Sequence, residues 1–152
     1  MSVVQLLKKV DTFNGLSEEQ LKKVATLCQK HIFNAGDIIL KENTRSDDMY
    51  VIEEGLVEII VDVGEGESAS SGSGRSIVNL GRGRVFGEMA LVDQGLRSAT
   101  VRCAADNSKL YSIRREDFLK LCEEDTRIGY IVMHNIAADL SFKLRVRNLA
   151  WR

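Results

Sequence analysis

Phe86-Gly87-Glu88-Met89-Ala90-Leu91-Val92-Asp93-Gln94-Gly95-Leu96-Arg97-Ser98-Ala99-Thr100-Val101 is the stretch on which the reading of this chain turns. A strand is expected to end at Phe86-Gly87, and a single helical turn opens at the carboxylate of Glu88. Arg97 follows nine positions later, and strand pattern resumes at Ala99-Thr100-Val101. The first N–H groups of a helical turn lack intrahelical partners and attract anions. The Arg97 guanidinium is a planar, permanently charged fork suited to phosphate oxygens. Glu88 can accept a hydrogen bond from a hydroxyl, and Gly87 lets the backbone come close to a ligand. Anion donors, a fork and a hydroxyl acceptor within one loop describe a site for a sugar phosphate.

On either side of this loop the pattern is β. Short apolar, largely β-branched runs occur at Ile38–Leu40, Met49–Ile52, Leu56–Val63, Ile77–Leu80, Ala99–Cys103 and Leu110–Ile113, separated by Gly, Asn, Asp and Ser. Many short strands with turn signals between them predict a sandwich or barrel. The run Leu56, Val57, Ile59, Ile60, Val61, Val63 is too apolar for a one-sided edge strand and is expected to lie between two sheets. Residues 64–74 read GEGESASSGSG, a polar loop expected as a hairpin tip rather than a domain boundary. The N-terminal segment is expected to be helical. Val4, Leu6, Leu7 and Val10 share one side of Val3–Val10. Ser17-Glu18-Glu19-Gln20 is a capping box that opens a helix with Leu21, Val24, Ala25 and Cys28 on one stripe. Asn34-Ala35-Gly36-Asp37 marks a turn. At the other end, Arg115-Glu116-Asp117 begins a helix bearing Phe118, Leu119, Leu121 and Cys122. A second helix from about Thr126 repeats Ile128, Val132, Ile136, Leu140 and Leu144 every four residues, a stripe that must cover the barrel, a partner helix or both.

The bulk numbers narrow the function classes. At 152 residues the chain fits one domain with a real core, expected as helices over 1–34, a β jelly roll over 35–114 and helices over 115–152. A net charge of −1 supplies no field to draw it onto nucleic acid or a membrane surface. No run approaches the ~20 apolar residues of a membrane span, and no secretory h-region is visible. The three cysteines, Cys28, Cys103 and Cys122, form no CxxC pair and read as reduced thiols, so a cytoplasmic protein is expected. His31 and His134 lack metal-ligand spacing, so no metal is expected. No nucleophile elbow, zinc-protease helix or P-loop is present, and an enzyme is not expected.

The loop from Phe86 to Val101 resembles the phosphate-binding cassette of the cyclic nucleotide-binding domain family. The resemblance extends to Gly36-Asp37-Ile38-Ile39, to Met49 through Glu58 with Gly55 at a tight turn, and to Leu80-Gly81-Arg82-Gly83-Arg84-Val85-Phe86-Gly87-Glu88. It covers roughly Leu16 to Leu149. It implies an eight-stranded double-sheet jelly roll with helices at both ends. It also implies that Glu88 takes a ribose 2′-hydroxyl, that Arg97 neutralises the cyclic phosphate, and that Met89, Ala90, Ser98 and Ala99 surround that phosphate. Val57, Ile59, Ile77 and Val85 are expected near the base and sugar, about half of them as plain core because strand alternation sends side chains both ways, while Thr100 and Val101 lead back into the barrel as half wall and half core. Two departures stand out: Leu96 occupies a position where many members have Pro, and Lys143-Leu144 stands where hydroxyl residues reach adenine in some members. Arg145, Arg147, Asn148 and Trp151 are candidate lids.

The function implied is a sensor for a cyclic mononucleotide, cyclic AMP first and cyclic GMP second, needing no cofactor and signalling through its last helix. The expected partners are a second copy through that helix or a separate effector protein, with neither nucleic acid nor membrane involved. The alternatives are the sensor part of a transcription regulator or channel, and a jelly-roll interaction module that no longer binds nucleotide.

Overall fold

A computed structural model describes residues 2–62, 75–97 and 99–150. The glycine- and serine-rich loop and Ser98 therefore lie outside the described residues. Helix formation at the N-terminus follows the capping chemistry. Ser17 and Gln20 exchange hydrogen bonds, Gln20 N to Ser17 Oγ at 3.2 Å and Ser17 N to Gln20 Oε1 at 2.9 Å. They open α2 (Glu18–Ala25). The same reciprocal pair between Ser2 and Gln5 opens α1 (Val3–Lys8), and a 3-10 turn, Asp11–Phe13, lies between the two. Ser17→Ala removes the acceptor for one otherwise orphaned N–H and is expected to lower stability by about 1 kcal/mol, read as a lower urea midpoint at unchanged slope.

The strands are β1 (Gln29–Phe33), β2 (Ile38–Leu40), β3 (Asp48–Glu54), β4 (Val57–Asp62), β5 (Arg75–Leu80), β6 (Val85–Phe86), β7 (Thr100–Cys103) and β8 (Ser108–Arg114). They form two four-stranded antiparallel sheets, ordered β1-β8-β3-β6 and β2-β7-β4-β5. The β region thus begins before residue 35. Among the described residues the QKHIF sequence of β1 pairs only with β8 and leaves Ile32 exposed, which is why its pattern gives a weak strand signal.

Strand register decides which side chains meet. Tyr50 and Ile52 of β3 lie opposite Ser112 and Leu110 of β8 and face the second sheet. There Tyr50, Ile52, Phe86 and Leu110 pack against Leu40, Val57 and Val101. Met49 and Val51 take the other face with Tyr111 and Ile113, under the helices. β3 is therefore covered on both sides, and Met49-Tyr50-Val51-Ile52 is buried throughout. The expectation that the β4 run lies between two sheets is corrected. β4 lies within one sheet, between β7 and β5, and its Val61 is 38% exposed.

α3 (Arg115–Glu124) and α4 (Thr126–Ala150) close the helical side. Phe118, Leu121, Ile128, Val132 and Ile136 are buried with Leu6, Leu7, Val10, Phe13, Leu21 and Val24 against the first sheet. The α4 stripe divides at Leu140. Up to that point it covers the core, and beyond it Phe142 and Leu144 are 67% and 60% exposed. Among the described residues no helix is long and apolar enough to cross a membrane. All three cysteines are free, and burial pushes the Cys28 thiol up to about 12.

Candidate functional site

β6 ends at Phe86, which is buried and stacks on Tyr50 with ring centroids 5.1 Å apart and planes 11° from parallel. Gly87 then adopts φ 76°, ψ 10°, the left-handed region where a side chain is strained. This turns the chain into a 3-10 turn, Glu88–Leu91, with Ala90 N donating to Gly87 O at 3.1 Å. A Cβ on Gly87 would lie 2.9 Å from Asp48 O and 3.0 Å from Arg97 Nη1, so the glycine also makes room for the guanidinium. Leu91, at the end of the turn, is fully buried in the helical core, so the loop is tied to the helices as well as to the barrel.

Arg97 reaches back over this turn and is only 8% exposed. Its Nη1 donates to Gly87 O at 3.1 Å, and its Nη2 donates to Ser46 Oγ at 3.0 Å and to Asp48 O. Its backbone is pinned by Arg97 N to Thr44 O at 2.8 Å and Asn43 N to Arg97 O at 2.9 Å. All of these acceptors are uncharged. Among the described residues no carboxylate lies within ion-pair distance of Arg97, and its buried Nε has no partner. Burial lowers the Arg97 pKa, opposed by the nearby Tyr50 and Asp48. Burial likewise raises the Asp48 carboxyl, against the pull of Arg114, Arg97 and His31. A buried cation without a counter-ion is costly unless an anion arrives from outside.

A cleft of about 510 Å³ opens beside this arginine. One wall is apolar and comes from the second sheet: Leu40, Ile59, Val78, Leu80 and Val101. The loop residues Phe86, Gly87, Glu88, Met89, Ala90, Arg97 and Ala99 form the other, with Val85 and Arg84 beside them and Lys143 of α4 at the rim. Glu88 also borders a smaller cavity of about 240 Å³ between the Lys9–Thr12 segment, Arg84 and α4.

Most of the residues singled out from the sequence meet at this cleft. Ile77 does not. It pairs with Ile60 on the other face of the second sheet, is 54% exposed, and leaves Val78 and Leu80 to line the cleft. Val57 is core. The Thr100 hydroxyl accepts from Glu42 N at 3.0 Å. Ser98 and Trp151, and the side chains of Arg147 and Asn148, lie outside the description, while Arg145 is exposed. His31 bonds the Ser112 hydroxyl at 2.7 Å and His134 stacks on Tyr130. Among the described residues no group of His, Cys, Asp and Glu could hold a metal ion. Sequence reasoning missed the loop between β2 and β3 and the residue that begins β3, where Thr44, Ser46 and Asp48 hold Arg97. Two of those contacts use carbonyls, which every residue has, so only Ser46 could have left a trace.

A family model described as cyclic nucleotide-binding domain matches residues 30–125. The cyclic AMP receptor protein of Thermus thermophilus is 30% identical over 143 residues, 94% of this chain and 61% of that protein. The crystal structure of the Thermus thermophilus catabolite activator protein superposes with a TM-score of 0.76 at 29% identity, covering 93% of this chain and 61% of that one. The cGMP-dependent protein kinase egl-4 of Caenorhabditis elegans is 30% identical over 119 residues, 78% of this chain and 15% of the kinase. This chain thus spans less than two thirds of each of these relatives.

Proposed function

The chain belongs to the cyclic nucleotide-binding domain family, and we propose that its cleft binds a cyclic mononucleotide, cyclic AMP first and cyclic GMP second, as a cytoplasmic sensor rather than an enzyme. The observation that carries this is Arg97, a buried guanidinium held only by neutral acceptors and left with an unpartnered Nε. Arg84, Arg97 and Lys143 line the cleft together with Glu88 and Asp93, and the single positive charge left over matches a phosphodiester, which carries a single negative charge. A nucleoside triphosphate would bring several charges up against Glu88 and Asp93, which line the same cleft. In this reading Arg97 and the N–H groups of Met89, Ala90, Ser98 and Ala99 take the phosphate, and Glu88 takes the ribose hydroxyl. Ile59 and Val101 support the sugar and base from the apolar wall, whereas Ile77 has no part.

No chemical step is needed. Ligand contacts shift the population of loop conformations, and Leu91 passes the change to the helical core. The exposed Phe142, Leu144 and Val146 of α4 are the surface we assign to the output, either a second copy of the chain or an effector protein. The names of the relatives point to both nucleotides, cyclic AMP for the Thermus receptor and cyclic GMP for the kinase. Calorimetric titration with cyclic AMP, cyclic GMP and ATP tests the reading. Saturable heat with either cyclic nucleotide and none with ATP is expected, and silence with both cyclic nucleotides would sink it. Light scattering that finds a monomer with and without ligand would remove helix pairing.

A further inference from the structure

The loop joining β2 to β3, with the first residue of β3, surrounds Arg97 without forming an ion pair with it among the described residues. Asn43, in the left-handed region at φ 65°, and Thr44 pair with its backbone, while Ser46 Oγ and Asp48 O hold its Nη2. On its far side the same loop is fastened to the start of α3, where Arg115 N donates to Asp47 O at 2.7 Å. Among the described residues Ser46 supplies the only side-chain hydrogen bond to the guanidinium, because Gly87 and Asp48 both contribute carbonyls. We propose that Ser46 is a positioning residue for Arg97: its hydroxyl fixes the plane of the guanidinium and so sets how tightly and in which orientation the cleft holds a phosphodiester.

The chemistry of the hydroxyl explains why a serine suits this place. A flexible arginine aimed at a ligand must be ordered beforehand, or binding bears the cost of ordering it. A carboxylate would order it too, but would also satisfy its charge and compete with the incoming anion. A neutral oxygen 3.0 Å from Nη2 orders the fork and adds no negative charge to it. Without it, the guanidinium keeps two carbonyl contacts, Nη1 to Gly87 O and Nη2 to Asp48 O, and its plane can still turn about the line that joins them.

The inference rests on the cyclic-nucleotide reading, and its test separates the two. The full chain is titrated with cyclic AMP and with the two phosphorothioate diastereomers of cyclic AMP, in which sulfur, a poor acceptor, replaces one or the other exocyclic oxygen. A fixed guanidinium tells the two diastereomers apart, and a tilting one does so less. In Ser46→Ala, cyclic AMP affinity is expected to fall about tenfold, and the ratio between the diastereomers to shrink, at an unchanged melting temperature. Ser46→Thr keeps the hydroxyl and is expected to restore both. Ser46→Asp supplies a competing anion and is expected to weaken binding by about a hundredfold while melting no lower than wild type. A wild-type diastereomer ratio in Ser46→Ala would overturn the role of Ser46. So would affinity and melting temperature falling together in both Ser46→Ala and Ser46→Asp. Absence of binding in the wild type would end the cyclic-nucleotide reading and this role with it.

Discussion

Arg97→Ala is expected to weaken cyclic AMP and cyclic GMP binding by the same factor, on the order of 2–5 kcal/mol, or roughly thirty- to several-thousandfold. The loss should be equal because both ligands carry the same phosphate, whereas any residue that reads the base would separate them. It should also be large, because the guanidinium is buried and forms no ion pair among the described residues. Stability is expected to move far less. The substitution strands Gly87 O, Asp48 O and Ser46 Oγ, which costs stability, but it also removes a desolvated charge, which restores it. Arg97→Lys should recover little affinity, since a single ammonium cannot reproduce the fork that meets Gly87, Ser46 and Asp48 together. Calorimetry beside a urea melt separates the two effects. Wild-type affinity in Arg97→Ala would remove the arginine from the phosphate role, and a melt that collapses along with binding would make it a structural residue.

How far this site was legible in the sequence depends on where each signal is written. Gly87, Glu88 and Arg97 are close along the chain and chemically distinctive, so the anion loop could be read directly. The strand content was legible for a similar reason, since apolar runs such as Met49–Ile52 stand between turn residues. What could not be read is phase and partnership. Ile77 and Val78 are equally apolar neighbours, and only the pairing of Ile60 with Ile77 and Ile59 with Val78 decides which one faces the cleft. The α4 stripe continues unbroken through Leu144 in the sequence, yet the core beneath it ends near Leu140. The half-polar β1 carries too little pattern to announce itself. The grip on Arg97 comes largely from backbone carbonyls of a distant loop, which no residue type encodes.

The largest expected loss of stability comes from a glycine that does not line the cleft. Gly55, in the tight connection between β3 and β4, has φ 115°, a conformation that residues with a Cβ rarely adopt. It also rests directly on β8. A Cβ there would meet the Ser108 hydroxyl in a hard clash and would lie 2.5 Å from Ser108 Cβ and 2.8 Å from its Cα. Rotating the hydroxyl away relieves only the first contact, and it breaks the bond from Ser108 Oγ to Ala105 O at 2.7 Å within a fully buried site. The backbone atom cannot move without shifting β8, the strand that joins β1 to β3 in the first sheet. Backbone strain of about 1–2 kcal/mol and overpacking of about 1–3 kcal/mol together give Gly55→Ala a loss of roughly 2–5 kcal/mol, a large share of the 5–15 kcal/mol typical of a domain. The check is a urea titration, with the midpoint falling sharply at unchanged slope. Below that midpoint the folded fraction should still bind cyclic nucleotide with near wild-type affinity, because Gly55 does not line the cleft. A wild-type midpoint would show that β8 yields to the extra methyl, and that the contact between the β3–β4 turn and Ser108 does not hold the two sheets in register.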